Sequence, residues 1–272
     1  SLYSSYEGLF TATDANTVAK EMILARNYNY GAGLTHGVQA YVNSQGAGCA
    51  GVTKRLVDAY LMKNGTRHTD RPGYKTMTFE EEVKDRDGRL AATIRTPGYK
   101  IDGKAAAPNL NVAKLGYHLR KYYVGVKYES YSEVSLPVFR LAEVYLNYAE
   151  AANEVDGATS LVYELVNTIR RRAGQPELPA GLSQEQMRDK IRQERRIELC
   201  FENHRFWDVR RWMIAEEIDN GPVHRVTIDA EGNISYPVFQ NRVFNPDRHY
   251  LFPIPQIEID KNNALEQNPG WN

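Results

Sequence analysis

One stretch of the chain, residues 183–212, constrains the fold more than any other. Ser183 and Gln186 have the spacing of a capping box, which predicts that a central helix begins there and covers residues 184–202. One side of this helix begins apolar and ends acidic, through Met187, Ile191, Glu194, Glu198 and Glu202. Its last turns are also apolar on the opposite side, so we expect it to be buried in the centre of the fold.

Carboxylates on a buried helix need cations and hydrogen-bond donors, or they take up protons. The stretch supplies arginines, so we predict an ion-pair network made of Glu194, Arg195, Arg196, Glu198, Glu202, Arg205, Asp208 and Arg211. A catalytic pair of glutamates is the alternative interpretation. The structural interpretation is favoured, because close pairing with arginine keeps a carboxylate ionised.

Two further parts of the chain have clear patterns. Residues 136–174 predict a helical hairpin, with matching apolar faces on both sides of the turn at Asp156 and Gly157. Residues 221–247 predict a polar β-hairpin excursion. Two shorter helices are predicted nearer the beginning, over residues 15–26 with Asp14 as N-cap, and over residues 52–64 ending at Gly65.

Composition limits the classes of partner. The 272 residues, which we expect to form a single domain, carry 34 basic and 34 acidic side chains. This balance argues against nucleic acid or an anionic membrane surface as the main partner. The apolar runs are too short for a membrane span, and two cysteines are too few for a disulfide framework.

The sequence has no recognisable catalytic or metal-binding motif. The six histidines stand at no metal-ligand spacing, and no nucleophile elbow, phosphate-binding loop or HExxH motif occurs. Residues 85–89 (DRDGR) lack the remaining oxygen ligands of a calcium loop and predict a charged turn. We therefore expect no catalytic residue, no metal and no cofactor.

The unusual compositional feature is an excess of tyrosine, with 18 Tyr against 8 Phe and 3 Trp. Tyr28, Tyr30 and Tyr41 lie in a glycine-rich stretch that lacks the strand–GxGxxG–helix context of a dinucleotide site. Tyrosine combines a flat apolar face with a hydroxyl, which suits half-wet binding surfaces. The stretch is either a flexible connector or a binding surface, and the residues alone leave both open.

Several motifs occur together in a characteristic order. They are residues 86–87 (RD) with 89–90 (RL), 140–151 (RLAEVYLNYAEA), 169–174 (IRRRAG), 194–202 (ERRIELCFE), Arg205, Asp208, residues 210–212 (RRW), 250–255 (YLFPIP) and 267–271 (QNPGW). In this order and spacing they resemble the SusD/RagB family, the glycan-binding outer-membrane lipoproteins of Bacteroidetes. Asn203 departs from the glycine that the family favours there, but asparagine also tolerates a left-handed backbone at a helix end.

The resemblance implies a mainly α fold, with a tetratricopeptide-like helical hairpin, long loop-rich insertions and a few short strands. It covers the C-terminal half of the family. The N-terminal half, with the signal peptide, the lipid-carrying cysteine and most of the helical hairpins, is expected to be absent. Any attachment to a membrane would then be through an N-terminal lipid anchor outside these residues.

The same resemblance implies a non-enzymatic protein on the surface of the outer membrane. Such a protein captures oligosaccharides and passes them to a SusC-like TonB-dependent transporter. The sugar site of the family is carried on loops, so we expect it at Asn27, Tyr28, Tyr30, His36, Gln39 and Tyr41.

Two alternatives remain at this stage. The chain could be a protein–protein module that docks on the transporter and has no glycan site of its own. It could also be a hydrolase that uses Glu194 and Glu198, although these lie on one side of one helix, whereas glycosidases place their carboxylates on opposite sides of the scissile bond.

Overall fold

The computed structural model describes residues 1–43, 51–101, 103–106, 108, 110, 113–125, 131–229 and 233–271. The predicted class is confirmed, because the fold is mainly α with short strands. The helices are α1 (Val38–Asn43), α2 (Lys54–Ala59), α3 (Phe79–Val83), α4 (Gly88–Thr93), α5 (Leu141–Asp156), α6 (Ser160–Arg172), α7 (Gln184–Glu198), α8 (Arg205–Arg211), α9 (Ala215–Ile218), α10 (Pro246–His249) and α11 (Gln256–Lys261).

The strands pair only in antiparallel twos: β1 with β6, β2 with β5, β3 with β4, β7 with β10 and β8 with β9. Their bounds are β1 (Met22–Arg26), β2 (Gly51–Val52), β3 (Lys100–Ile101), β4 (Lys104–Ala105), β5 (Tyr117–His118), β6 (Leu136–Arg140), β7 (Gly221–His224), β8 (Thr227–Ile228), β9 (Ile234–Ser235) and β10 (Val238–Arg242). Residues 221–242 are therefore two nested ladders of one long hairpin.

Helix α7 lies between two hydrophobic clusters, and this explains its position in the fold. Met187 and Ile191 pack with the α5–α6 hairpin, in a cluster that also contains Val162 and Val166. Ile197 belongs to a larger cluster built from α2, α4 and β5. The start of α7 has the predicted capping box, in which both side chains bond to backbone N–H groups across the first turn.

Several predicted boundaries are wrong, for two reasons. Helix α7 ends at Glu198 and not at residue 202, because Phe201 and Asn203 have left-handed backbones, with φ of 58° and 68°. Asn203 is thus left-handed as expected, but it lies beyond the helix. Residues 136–140 of the predicted helical hairpin and residues 22–26 of the predicted first helix instead form β6 and β1, because pairing with a distant segment overrides local periodicity.

The helix predicted over residues 52–64 is present, but its predicted bounds are wrong. It begins at Lys54 under a Thr53 cap and ends at Ala59, where the chain becomes extended. The reason is Tyr60, which is fully buried and whose hydroxyl lies 2.8 Å from Thr93 Oγ1 and 3.1 Å from Cys200 Sγ. A continued helix would carry this side chain away from those partners.

The first helix of the helical hairpin has an apolar outer side. One side of α5 leaves Val144, Tyr148 and Val155 exposed. None of the helices in the described part of the chain is both long enough and apolar enough to cross a membrane.

The hairpin formed by β7–β10 is attached to the rest of the protein where the backbone of Val226 passes close to that of Gly116. Gly116 has φ of 90°, and a Cβ built there would lie 2.1 Å from the carbonyl oxygen of Val226. The backbone N–H of Val226 donates to the carbonyl of Leu115 at 3.0 Å. Only glycine fits this position.

We predict that Gly116→Ala destabilises the protein by about 3 kcal/mol or more, because the methyl group meets backbone that cannot move independently. Gly174→Ala is the matched control, since Gly174 also has a positive φ but open space around its Cβ position. Its cost should be only the backbone strain of about 1–2 kcal/mol. Urea unfolding of both variants measures the difference, and equal costs would contradict the close approach.

Candidate functional site

The carboxylates of α7 and of the turn after it lie in a buried group of charged side chains, which we call the inner cluster. Its members are Glu21, Asp87, Arg89, Lys121, Arg140, Arg170, Arg172, Glu194, Glu198 and Glu202. The four arginines come from α4, β6 and α6, and not from the neighbouring arginines of the 183–212 stretch.

Glu198 is fully buried at the centre of the inner cluster. Arg89 Nη1 donates to its Oε2 at 2.8 Å, Arg140 Nη1 donates to its Oε1 at 2.6 Å, and Arg172 Nη2 also donates to Oε1. Burial alone would raise the pKa of Glu198, but these three guanidinium groups hold the pKa well below its usual range. The carboxylate is therefore ionised and enclosed.

The two flanking glutamates are held in the same way. Glu194 accepts from Arg89 Nη1 at 2.6 Å and from Arg170 Nη1 at 3.1 Å. Glu202 accepts from Arg140 Nε at 2.6 Å and from Lys121 Nζ at 2.8 Å. With Glu194 and Glu198 both enclosed by guanidinium groups, neither carboxylate faces a space that a substrate could enter.

A second group of ion pairs, the outer cluster, ties α8 to α5 and α7. Arg195 Nε donates to Asp208 Oδ2 at 2.8 Å, and Arg211 Nε donates to Asp208 Oδ1 at 2.9 Å. Arg211 then reaches Glu150 on α5 with both terminal nitrogens, at 2.5 and 2.8 Å. Trp212 Nε1 donates to Glu150 as well, at 2.7 Å. The bidentate geometry fixes the angle between α8 and the helical hairpin.

Arg196 and Arg205 are the two residues of the predicted network that join neither cluster. Among the residues that the structure describes, no carboxylate oxygen lies within 4.0 Å of either guanidinium group. Arg196 Nη2 donates instead to the backbone carbonyl of Arg55 at 2.9 Å. Both side chains line a cavity of about 670 Å³.

The predicted tyrosine site divides into side chains that face solvent and side chains that hold the loop. Tyr30 is 61% exposed, and its ring lies edge-to-face with Tyr131 at 5.6 Å between centroids. Tyr131 is 57% exposed. Tyr41 is exposed on α1, whereas Tyr28 is half-buried against the His36 ring. We call Tyr30 and Tyr131 the tyrosine pair.

The polar residues predicted for the same site are engaged in internal hydrogen bonds. Gln39 is fully buried, and its amide bonds to Tyr122 O, Ser132 Oγ and the Val124 N–H. His36 bonds through its ring to the carbonyl of Val134, and Asn27 accepts from Ser135 Oγ. These contacts fix the loop against the segment that carries Tyr131.

Tyr131 is the residue that the sequence did not place at this site. The pairing depends on contacts across about a hundred residues, such as the backbone N–H of Tyr30, which donates to Glu133 Oε1 at 2.6 Å. The β-bridge between His36 and Ser132 is a second such contact. No local spacing signals either of them.

One group of side chains has the composition of a metal site. Asp58, His68 and Glu82 bring their ligand atoms within 4.8 Å of one another. Lys54 Nζ, however, contacts Asp58 and lies 3.1 Å from Glu82 Oε1, and Tyr117 donates to Glu82. The ammonium group already neutralises these carboxylates, so a metal ion would have to displace Lys54 first.

Comparison with known protein families shows to which family the chain belongs. The model of the SusD family matches residues 10–271. The chain belongs to the SusD family. The resemblance predicted from the motifs is therefore confirmed.

Relatives in this family share about a third of their residues with the chain over the matched parts. SusD-like protein P2 of Formosa agariphila is 32% identical over 169 residues, which are 57% of this chain and 30% of that protein. SusD-like protein P38 of the same organism is 30% identical over 187 residues, which are 65% of this chain and 35% of that protein. The chain thus matches about a third of the length of these curated relatives.

Solved structures of the SusD family share the fold. A SusD-like protein from Bacteroides fragilis is 28% identical with a TM-score of 0.79, over 98% of this chain and 57% of that one. A SusD-like carbohydrate-binding protein from the same species is 27% identical, also with a TM-score of 0.79, over 98% of this chain and 58% of that one.

In this SusD-family chain, breaking the inner cluster should be strongly destabilising. We predict that Glu198→Ala costs about 3–5 kcal/mol of unfolding free energy, because it leaves three guanidinium groups buried without their shared partner. Glu164→Ala is the control, since Glu164 pairs with Arg171 on the exposed side of α6, and it should change stability little. Chemical unfolding measures both, and a mild effect at Glu198 would mean that the cluster is hydrated.

A second prediction concerns acid stability. Burial, then the charges of Arg86, Lys54 and Arg71, lowers the pKa of His68 to about 3. Because the unfolded chain binds a proton near pH 6.5 and the folded chain does not, stability is complete above that pH and falls as the pH drops towards 3.

His68→Phe keeps a ring against Tyr74 and cannot titrate. We expect the unfolding free energy of this variant to decline less steeply between pH 6 and pH 4 than that of the unsubstituted protein. The two slopes should differ by about 1.4 kcal/mol per pH unit. Unfolding curves of the unsubstituted protein in the same buffers provide the reference. Parallel curves for the two proteins would show that His68 is not responsible.

Proposed function

We propose that this chain is the glycan-binding part of a cell-surface protein that captures oligosaccharides and passes them to a SusC-like TonB-dependent transporter in the outer membrane. The observation that carries the proposal is the tyrosine pair, two exposed rings on two distant segments that hydrogen bonds hold together. A 27% identical relative of the same fold is a carbohydrate-binding protein, which supports the ligand class.

The tyrosine pair suits a sugar for physical reasons. A pyranose ring has an apolar C–H face that packs on an aromatic face, while its hydroxyls need polar partners around the rim. Tyr30 and Tyr131 are locked edge-to-face, so little side-chain entropy is lost when a ligand binds. Their hydroxyls, together with the exposed Tyr41, supply donors and acceptors.

We propose no catalytic step for the chain. The two glutamates that a hydrolase would use are buried and fully paired with arginine, as described above. A glycosidase also needs a carboxyl group whose pKa is raised so that it can donate a proton, and the pKa of Glu198 is lowered. Capture without cleavage is the function that this geometry supports best.

A second candidate function is docking alone, and one surface favours it. Phe206, Trp207 and Phe252 form an exposed aromatic group with ring centroids 5.0–6.1 Å apart. Aromatic groups of this kind are typical of protein contact surfaces. Co-purification with a transporter barrel, by a protein that binds no glycan, would favour this function over the first.

The experiment for glycan binding is calorimetry against a panel of oligosaccharides. We expect Tyr30→Ala and Tyr131→Ala each to weaken binding about threefold to tenfold, because each removes one half of the stacking surface. Tyr148→Ala is the matched control, since Tyr148 is comparably exposed on α5, and it should bind as the unsubstituted protein does. Unchanged affinity in the Tyr30 and Tyr131 variants would reject this site, and binding to no member of the panel would reject the function.

A further inference from the structure

Three arginines line one cavity, and none of them has a carboxylate within 4.0 Å in the part of the chain that the structure describes. Arg55, Arg196 and Arg205 all line the cavity of about 670 Å³ between α2, the end of α7 and β7. They also line an adjoining cavity of about 920 Å³ on the side of α9. Within the described part of the chain, these guanidinium groups hydrogen-bond only to backbone carbonyls: Arg55 Nη1 donates to Ile218 O at 2.6 Å, and Arg196 Nη2 donates to Arg55 O.

The acidic side chains in the same cavity are already neutralised by other cations. Asp58 is paired with Lys54. Asp219 lies 3.5 Å from Arg210 Nη1 and 3.7 Å from Arg242 Nη1. In a protein with equal numbers of basic and acidic residues, this cavity therefore has a local excess of positive charge.

Burial and the mutual repulsion of the three groups both disfavour their charged forms. Burial, then the charges of Arg205 and Arg55, lowers the pKa of Arg196 to about 9. Burial also lowers the pKa of Arg205, which Asp208 only partly offsets. Partly buried guanidinium groups without a counter-ion are costly, so their arrangement favours a bound anion.

An apolar ring stands beside the arginines. Phe201 lines the same cavity, is 40% exposed, and has a left-handed backbone with φ of 58°. This backbone is strained for a residue other than glycine, and exposing the ring adds a further cost. Strain of this kind clusters at ligand sites, and it is independent of the charge argument.

We propose that this cavity binds the acidic group of an acidic sugar, a carboxylate or a sulfate ester, through Arg55, Arg196 and Arg205, with the sugar ring packed beside Phe201. This inference rests on the proposed function and specifies the class of oligosaccharide. Guanidinium groups bind carboxylate and sulfate oxygens with two parallel hydrogen bonds, which a neutral sugar cannot match. A cavity of about 670 Å³ is in the range of small-ligand sites, and the adjoining cavity leaves room for further sugar units.

The anion site is tested first without any glycan. The thermal midpoint is measured in sodium sulfate and in sodium chloride at equal ionic strength, for the protein, Arg196→Gln, Arg205→Gln and the control Arg188→Gln. Arg188 lies on the same helix α7 but pairs with Glu154 and lines neither cavity.

Sulfate stabilises folded proteins in general, so it should raise all four midpoints, but it should raise those of the protein and of Arg188→Gln more than those of the two cavity variants. The cavity variants should also remain folded, with a midpoint in chloride no lower than that of the unsubstituted protein, because removing one charge relieves repulsion. Equal responses to sulfate in all four proteins would overturn the anion site.

The sugar is tested with two acidic oligosaccharides, trigalacturonate and a sulfated galactan tetrasaccharide. Each is compared with its neutral counterpart, the methyl ester and the desulfated tetrasaccharide. We expect at least one acidic oligosaccharide to bind about tenfold or more tightly than its counterpart, and this preference to disappear in Arg196→Gln and Arg205→Gln. If both neutral forms bind as tightly as the acidic forms, the inference fails while the proposed function stands; if no oligosaccharide in the panel binds, the function itself fails.

Discussion

The structure depends on the pairing of desolvated carboxylates on α7 with guanidinium groups from elsewhere in the chain. Burying any one of these charges alone would cost too much free energy. The helices, strand and loop that carry them must therefore pack together, with opposite charges in contact. Glu198 alone joins α4, β6 and α6 through Arg89, Arg140 and Arg172. The hydrophobic clusters on either side of α7 supply most of the driving force, whereas the ion pairs set the relative positions of the elements.

The features that could be predicted from the sequence are those encoded by patterns within a few neighbouring residues. The helical hairpin and the start of α7 are encoded by periodicity and by a capping box within a few residues, and both are present. The sequence predicts neighbouring arginines as the partners of Glu198, and this prediction is wrong. Residues close together on a helix point in different directions, so the side chains of Arg195 and Arg196 cannot reach Glu198. The sequence predicts a helix where β1 forms, and it does not place Tyr131 at the tyrosine site. Both features depend on contacts between distant segments, which local patterns do not show.

The arginines of the 183–212 stretch include two contrasting pairs. In the outer cluster, Arg211 binds Glu150 with two hydrogen bonds and Arg195 binds Asp208 through Nε, and both hold α8 in place. Arg196 and Arg205 instead line a cavity together with Arg55, where burial and the neighbouring like charges lower the pKa of Arg196 to about 9. Natural proteins accept such local conflicts mainly where a ligand compensates them. On the proposal made above, the same short motif contributes both to the scaffold and to a binding surface.

The inner cluster also determines how the chain reaches and leaves its folded state. Its hydrogen bonds join residues far apart in sequence: Arg172 and Glu21 are 151 positions apart, and Glu198 and Arg89 are 109 apart. Such contacts form only after large loops have closed, so folding should be slow and cooperative. Unfolding must likewise separate several buried charges at once, and few segments can open independently. If the protein is displayed at a cell surface as proposed, this kinetic barrier would limit access by proteases.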